Sequence, residues 1–163
     1  MIQIKKIYAK SLSFQSPAAP AVFEGKTVSP DIDIHIHLSN QKVAAPEQCF
    51  EVTMKVTATA KNGGATVFSA EVQQAGIFRI DAEGGDLAAA LETACPNVLL
   101  PFAREAITGM AGKGGFPPLL INPIDFAAMH RSRRARDKTP AAAPKRARGK
   151  SGNGKTPPKG KAG

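Results

Sequence analysis

Four residues at alternating positions are the chain's best candidates for chemistry. Asp31, Asp33, His35 and His37 would share one face of an extended segment, because side chains alternate along a strand. Two imidazoles two residues apart can share a metal ion, and carboxylates can complete its shell. The residues between them, Ile32, Ile34 and Ile36, and Leu38 after them, are all aliphatic. The solvent face of a half-buried strand demands the same polar run, so that reading is preferred and no metal site is assigned. Gly109-Met-Ala-Gly-Lys-Gly-Gly115 echoes a phosphate loop, but the G-x4-G-K-[ST] spacing is absent and a helical stretch precedes it. It reads as a helix stop beside a solvated Lys113. His130 has no catalytic partner near it in sequence, and positive charge at a helix end suits the dipole. Cys49 and Cys95 offer neither a disulfide framework nor zinc spacing, and read as buried thiols in a reducing compartment. No nucleophile with a base, metal cage or cofactor loop emerges. An enzyme is the least supported class, and no cofactor is expected.

The elements that carry these residues can be read from periodicity. Ile2, Ile4, Tyr8, Leu12 and Phe14 occupy even positions, interrupted by Lys6 and Lys10, with Ile7 on the other face. This predicts a first strand over 2–14 with a bulge. Pro17 and Pro20 end it, since proline cannot donate to a ladder, and 16–20 reads as an extended crossover leading to Val22 and Phe23. Clean alternation predicts strands over 31–38 and 50–60. Asn62-Gly63-Gly64 supplies a hairpin turn into a return strand over about 65–81, where Gly76 marks a bulge or a close backbone approach.

After Gly84-Gly85 the period becomes helical. Asp86 can cap a helix bearing Leu87, Ala90, Leu91 and Ala94. Pro96 and Pro101 are expected to break or kink the path. Phe102, Ala103, Ala106, Ile107 and Met110 then form a second stripe, stopped by Gly112, Gly114 and Gly115. Asn122 reads as the N-cap of a last helix, with Pro123 its first residue, running to about Arg134. Four strands and then helices give an α+β class: a four-stranded antiparallel sheet with helices packed on one face.

The chain has 163 residues, 22 of them basic and 13 acidic, for a net charge of +9. Residues 131–163 hold twelve of the basic residues and one acid, Asp137, so that segment carries +11 and residues 1–130 carry −2. The body is therefore mildly acidic, unlike a folded nucleic-acid-binding domain. Beyond Asp137 the composition falls to Ala, Pro, Gly, Lys and Arg. Nothing apolar remains to offset ordering entropy, so 1–136 is expected to be the domain and 137–163 a disordered basic tail. No apolar run reaches the roughly 18 residues of a membrane span, and Met1-Ile-Gln-Ile-Lys-Lys lacks the order of a signal peptide. A cytoplasmic location without membrane insertion is expected.

Several segments agree in order and spacing with one family. They are Ile7-Tyr8 with Leu12-Ser-Phe14, Glu71-Val-Gln-Gln-Ala-Gly-Ile-Phe78, Cys95-Pro-Asn-Val-Leu-Leu-Pro-Phe-Ala-Arg-Glu-Ala-Ile-Thr108 and Gly115-Phe-Pro-Pro-Leu-Leu-Ile-Asn-Pro-Ile-Asp-Phe126. From about Ile4 to about Phe126 the chain resembles SecB, the bacterial protein-export chaperones. The resemblance implies an ATP-independent holdase that binds unfolded preproteins in apolar grooves and delivers them to the SecA motor. It also implies a homotetramer built as a dimer of dimers. The groove candidates are Phe14, Val22, Phe23, Leu100, Phe102, Phe116, Leu119 and Phe126, although core packing would account for any one phenylalanine. A receptor for many unfolded chains needs exposed apolar surface and strand edges that accept any sequence, so the implied site is physically reasonable.

The SecA-contact candidates are Ser11, Gln15, Ser69 and Glu71. Relatives commonly carry acids at the first two and an apolar residue at the third, so only Glu71 keeps the pattern. That loss motivates the alternative of a SecB-like chaperone for another client, such as a toxin–antitoxin pair. The tail also departs from the acidic or polar tails of relatives. It reads as a solubilising appendage, with contact to nucleic acid or an anionic surface as the lesser reading.

Overall fold

The structure, a computed structural model, describes residues 1–25, 29–44, 48–81 and 86–138. Strands β1 (Ile2–Gln15), β2 (Asp31–Lys42), β3 (Cys49–Asn62) and β4 (Ala65–Ile80) form one antiparallel sheet in the order β1-β4-β3-β2. The expected alternation sets its two faces. Val52, Met54, Val56, Ala58 and Ala60 of β3 are buried on the inner face, opposite Phe78, Gly76, Gln74, Val72, Ala70 and Phe68 of β4 in register. The β3–β4 hairpin turns through Gly63 (φ 55°) and Gly64 (φ 86°), a left-handed pair that glycine adopts without a Cβ penalty.

β1 breaks strict alternation twice, between Ile4 and Lys6 and between Ala9 and Ser11. Each bulge inserts one residue and inverts the phase of the strand beyond it. Period two alone places Tyr8 with Ile4 and leaves Ile7 opposite. In the structure Ile7 pairs with Gly76 and packs on the core, whereas Tyr8 pairs with Ala75 and turns to the outer face, where it donates to Glu51. The second bulge restores the phase, so Leu12 and Phe14 rejoin the inner face. Buried Gln74 donates to the Tyr8 carbonyl at 3.0 Å, next to that bulge.

Asp86 begins the helical layer as expected, its Oδ1 accepting from Ala88 N (3.0 Å) and Ala89 N (3.3 Å). Helix α1 (Leu87–Ala89) passes through a π-helical segment (Ala90–Ala94) into α2 (Cys95–Lys113). The wide turn lies directly before Pro96, and the Cys95 N–H bonds to the Ala90 carbonyl. Pro101 lies inside α2 and does not break it. Pro101 leaves only the Asn97 carbonyl without its N–H, and Asn97 is exposed, so water can serve that carbonyl.

The buried stripe of α2 is Cys95, Leu99, Ala103, Ile107 and Ala111, spaced by four. Phe102, expected beside Ala103 on the packed stripe, is 46% exposed. α2 lies over β4, β3 and β1, and Gly76 permits the close approach. A Cβ there would sit 2.7 Å from Phe78 Cε2 and 3.1 Å from Leu99 Cδ2. Gly76→Val is therefore expected to lower stability by about 1–3 kcal/mol through over-packing, read from the urea midpoint.

α2 ends as expected at glycines. Gly115 (φ 84°) takes the left-handed position, and Phe116 N bonds to Ala111 O at 3.0 Å. The last helix, α3 (Phe126–Lys138), starts later than the expected Asn122–Pro123 and runs past Arg134. Asp125 is its cap, since Oδ1 accepts from Ala128 N at 2.8 Å. An aspartate at this place satisfies a free N–H and also opposes the positive helix end. Contacts of 2.8 Å from His130 Nδ1 to Glu92 and from Arg134 to Asp86 dock α3 on the preceding helices. Among the described residues no helix is long and apolar enough to cross a membrane. The tail from residue 139 on, expected to be disordered, lies outside the described residues.

Candidate functional site

β2 alternates as cleanly as β3 but is not sealed. Its inner residues Ile34, Ile36 and Leu38 are only half-buried, and Ile32 is exposed. β2 is an edge strand, and α2 covers the other side of the sheet. Two cavities open along this inner face.

The first has a volume of about 780 Å³. Ile32 and Ile34 of β2 and Val67 and Phe68 of β4 line it from the sheet. Val22 and Phe23 of the crossover and the segment Gly115–Leu120 after α2 complete the lining. No charged side chain lines it.

Its aromatic wall is continuous. Phe68 and Phe116 have ring centroids 4.5 Å apart, Phe23 and Phe116 5.3 Å, and Phe14 and Phe68 5.7 Å. The helix-stop glycines also serve this wall. The Phe14 ring rests on Gly114, where a Cβ would fall 2.2 Å from Phe14 Cζ. The open side is apolar as well: Phe23 is 53% and Leu120 83% exposed. A trench with these properties can bury the apolar side chains of a loose polypeptide by area alone, and it contains nothing that could transform them.

Of the eight groove candidates, Val22, Phe23, Phe116 and Leu119 line this cavity, and Phe14 backs its wall. Leu100 and Phe126 lie in the core, and Phe102 is on the exposed face of α2. Periodicity cannot separate these, because helix and loop phenylalanines carry no burial signal of their own. Ile32, Ile34, Phe68 and Leu120 also line the cavity, and the sequence does not mark them as a group. The only cue for β2 is its place as a strand with no later partner in sequence.

Ser11, Gln15, Ser69 and Glu71 come together on the outer sheet face. Gln15 pairs with Ser69, and Ser13 with Glu71, across β1 and β4. Asp33 joins the same face through Thr59, which pairs with both Asp33 and Ser69. The acids there are largely spoken for. Glu71 meets Lys55 at 3.0 Å and accepts from Thr57 at 3.2 Å, and Asp33 meets Lys61 at 3.3 Å. The Lys55 hydrogen bond, outweighing partial burial, holds the Glu71 carboxyl below its ordinary range. His35 and His37 are exposed with Asp31 and Asp33, and among the described residues no three His, Cys, Asp or Glu converge as metal ligands. Cys49 and Cys95 are free and buried, and burial pushes the Cys95 thiol up to about 11.

Comparison with known proteins converges on one family. The profile of the preprotein translocase subunit SecB matches residues 1–137. The protein-export protein SecB of Chromobacterium violaceum is 44% identical over 133 residues, covering 81% of this chain and 87% of its own. That of Nitrosococcus oceani is 40% identical over 142 residues, covering 86% and 85%. Among solved structures, the Mycobacterium tuberculosis SecB-like chaperone Rv1957, in complex with a ChAD peptide from the Rv1956 HigA1 antitoxin, superposes with a TM-score of 0.62. It is 21% identical and covers 76% of this chain and 91% of its own, a likeness of fold.

Proposed function

The chain belongs to the SecB family, and from that premise we propose that it is the ATP-independent export chaperone of its cell, holding unfolded preproteins in the trench beside β2. The observation that carries this reading is the uncharged first cavity, whose wall of Phe23, Phe68 and Phe116 stays partly open to solvent. Groove residues are then Val22, Phe23, Phe116 and Leu119, joined by Ile32, Ile34 and Leu120. The free edge of β2 adds backbone groups that can pair with any extended client. Export is favoured over another client because the relatives near 40% identity are export proteins, whereas the antitoxin-peptide complex resembles this chain in fold.

The test is capture. The purified protein is expected to suppress aggregation of a slowly folding precursor at equimolar concentration, without nucleotide. Equal aggregation with and without it removes the reading.

Delivery to SecA belongs to the outer face of β1 and β4, with Ser11, Gln15, Ser69 and Glu71 as contacts. The working form is a cytoplasmic homotetramer, a dimer of dimers, in which residues 1–136 are the chaperone domain and 137–163 a basic appendage. Glu71→Lys is expected to weaken SecA binding about tenfold at low salt, since it replaces attraction by repulsion beside Lys55. Calorimetric titration reads this, and unchanged affinity removes Glu71 from the interface.

A further inference from the structure

The trench has a second compartment of different chemistry. A cavity of about 490 Å³ opens farther along β2, over Ile36 and Leu38, and is closed by α3. Its floor is apolar, with Met129 44% exposed beside it, but its rim is cationic: Arg133 and Arg136 line it with His37 and His130. The one acid of the rim, Glu92, is already engaged by His130 at 2.8 Å and by Arg133 at 3.6 Å. The first cavity carries no charge. The two share one strand as floor, with Ile32 and Ile34 under the first and Ile36 and Leu38 under the second.

The geometry points to a two-part recognition rule, resting on the proposed client-binding role: one extended polypeptide puts an uncharged apolar segment in the first cavity and an acidic residue flanked by apolar ones in the second. Four residues of β2 separate the midpoints of the two floors. At about 3.3 Å per residue this is roughly 13 Å, so an extended client meets the cationic rim about four residues from its apolar anchor. Charge also selects the occupant. The residues of this chain beyond 138 include seven Lys and Arg and no acid, so its own tail is repelled by Arg133 and Arg136. An apolar client with a basic residue at that spacing is repelled in the same way. A client carboxylate is attracted, and its neighbours can use Ile36, Leu38 and Met129.

The test uses the full-length protein and synthetic peptides sharing one Phe/Leu segment, with Asp or Lys four residues to either side, read by fluorescence anisotropy. The Asp peptide is expected to bind about three- to tenfold more tightly than the Lys peptide at low salt, the difference shrinking as salt is raised. Arg136→Glu, an exposed change that circular dichroism can show to leave the fold intact, is expected to abolish or invert the preference. If both peptides bind equally, the recognition rule is overturned while the client-binding role stands. If neither binds, both fall together. A preference that survives Arg136→Glu unchanged assigns it elsewhere and also overturns the rule.

Discussion

The double variant Phe23→Ser/Leu120→Ser is expected to lose client affinity by about two orders of magnitude while remaining folded. Both side chains line the first cavity and both are largely exposed, so the native state gains little from them. A client that covers them removes on the order of 100 Å² of apolar surface per residue from water. At about 25 cal/mol per Å² the pair contributes roughly 3–5 kcal/mol to binding, and each 1.4 kcal/mol is about tenfold. Some is lost to ordering of the client, which leaves about two orders. Binding of a labelled, permanently unfolded precursor measures the loss, and the urea midpoint checks that the fold is kept. Serine at Phe116 would be a poorer probe, because that ring also packs on Phe68 and Phe14 and its removal would disturb the wall itself. Unchanged capture by the double variant would mean that clients bind elsewhere.

The second large effect concerns Glu51, only 7% exposed on the outer face of the sheet. It accepts from the Tyr8 hydroxyl, from Lys10 Nζ at 3.0 Å and 3.2 Å, and from Gln41 Nε2 at 2.6 Å. These donors come from β1 and β2, the two edge strands, so one carboxylate ties both edges to β3. Glu51→Ala strands three donors and is expected to cost about 2–4 kcal/mol, and Tyr8→Phe about 1.5–3 kcal/mol.

The pH dependence has a definite sign. The Tyr8 hydrogen bond, with help from Lys10 and Gln41 and against burial, holds the Glu51 carboxyl below its ordinary range. Its contribution is therefore full above the ordinary carboxylate range and fades as pH falls through that range toward the folded value. The gap between the wild type and Tyr8→Phe should be widest near neutrality and narrow in acid. At the other end, the Glu51 hydrogen bond, burial and the nearby charge push the Tyr8 phenol up to about 12. Tyr8 is the chain's one tyrosine, and there is no tryptophan. Ultraviolet titration of the native protein thus reads this single group. Phenolate absorbance appearing at the ordinary tyrosine value, about 10, would show that the bond is not made.

Much of the fold is set by local rules. Alternation over 31–38 and 50–60, the Asn62-Gly63-Gly64 turn, the Asp86 cap and the glycine stop after α2 are each decided by a few neighbouring residues, and all take the expected form. The misplacements occur where two local rules compete. Two bulges in β1 exchange Ile7 and Tyr8, because one inserted residue inverts a period of two. Asn122-Pro123 and Asp125 are both good helix starts, and the helix uses the aspartate.

The sequence by itself determined which residues are apolar, how they repeat and where each element begins to turn. Only the tertiary structure decided which of them are left uncovered. β2 and β3 carry equally good aliphatic faces, yet Val52, Met54 and Val56 are sealed while Ile32, Ile34 and Ile36 are not. Likewise Phe126 is sealed and Phe23 is open. Burial is a property of what lies across from a side chain. α2 crosses β4, β3 and β1 and stops short of covering β2, and no periodicity within a strand records where a helix fifty residues later will lie.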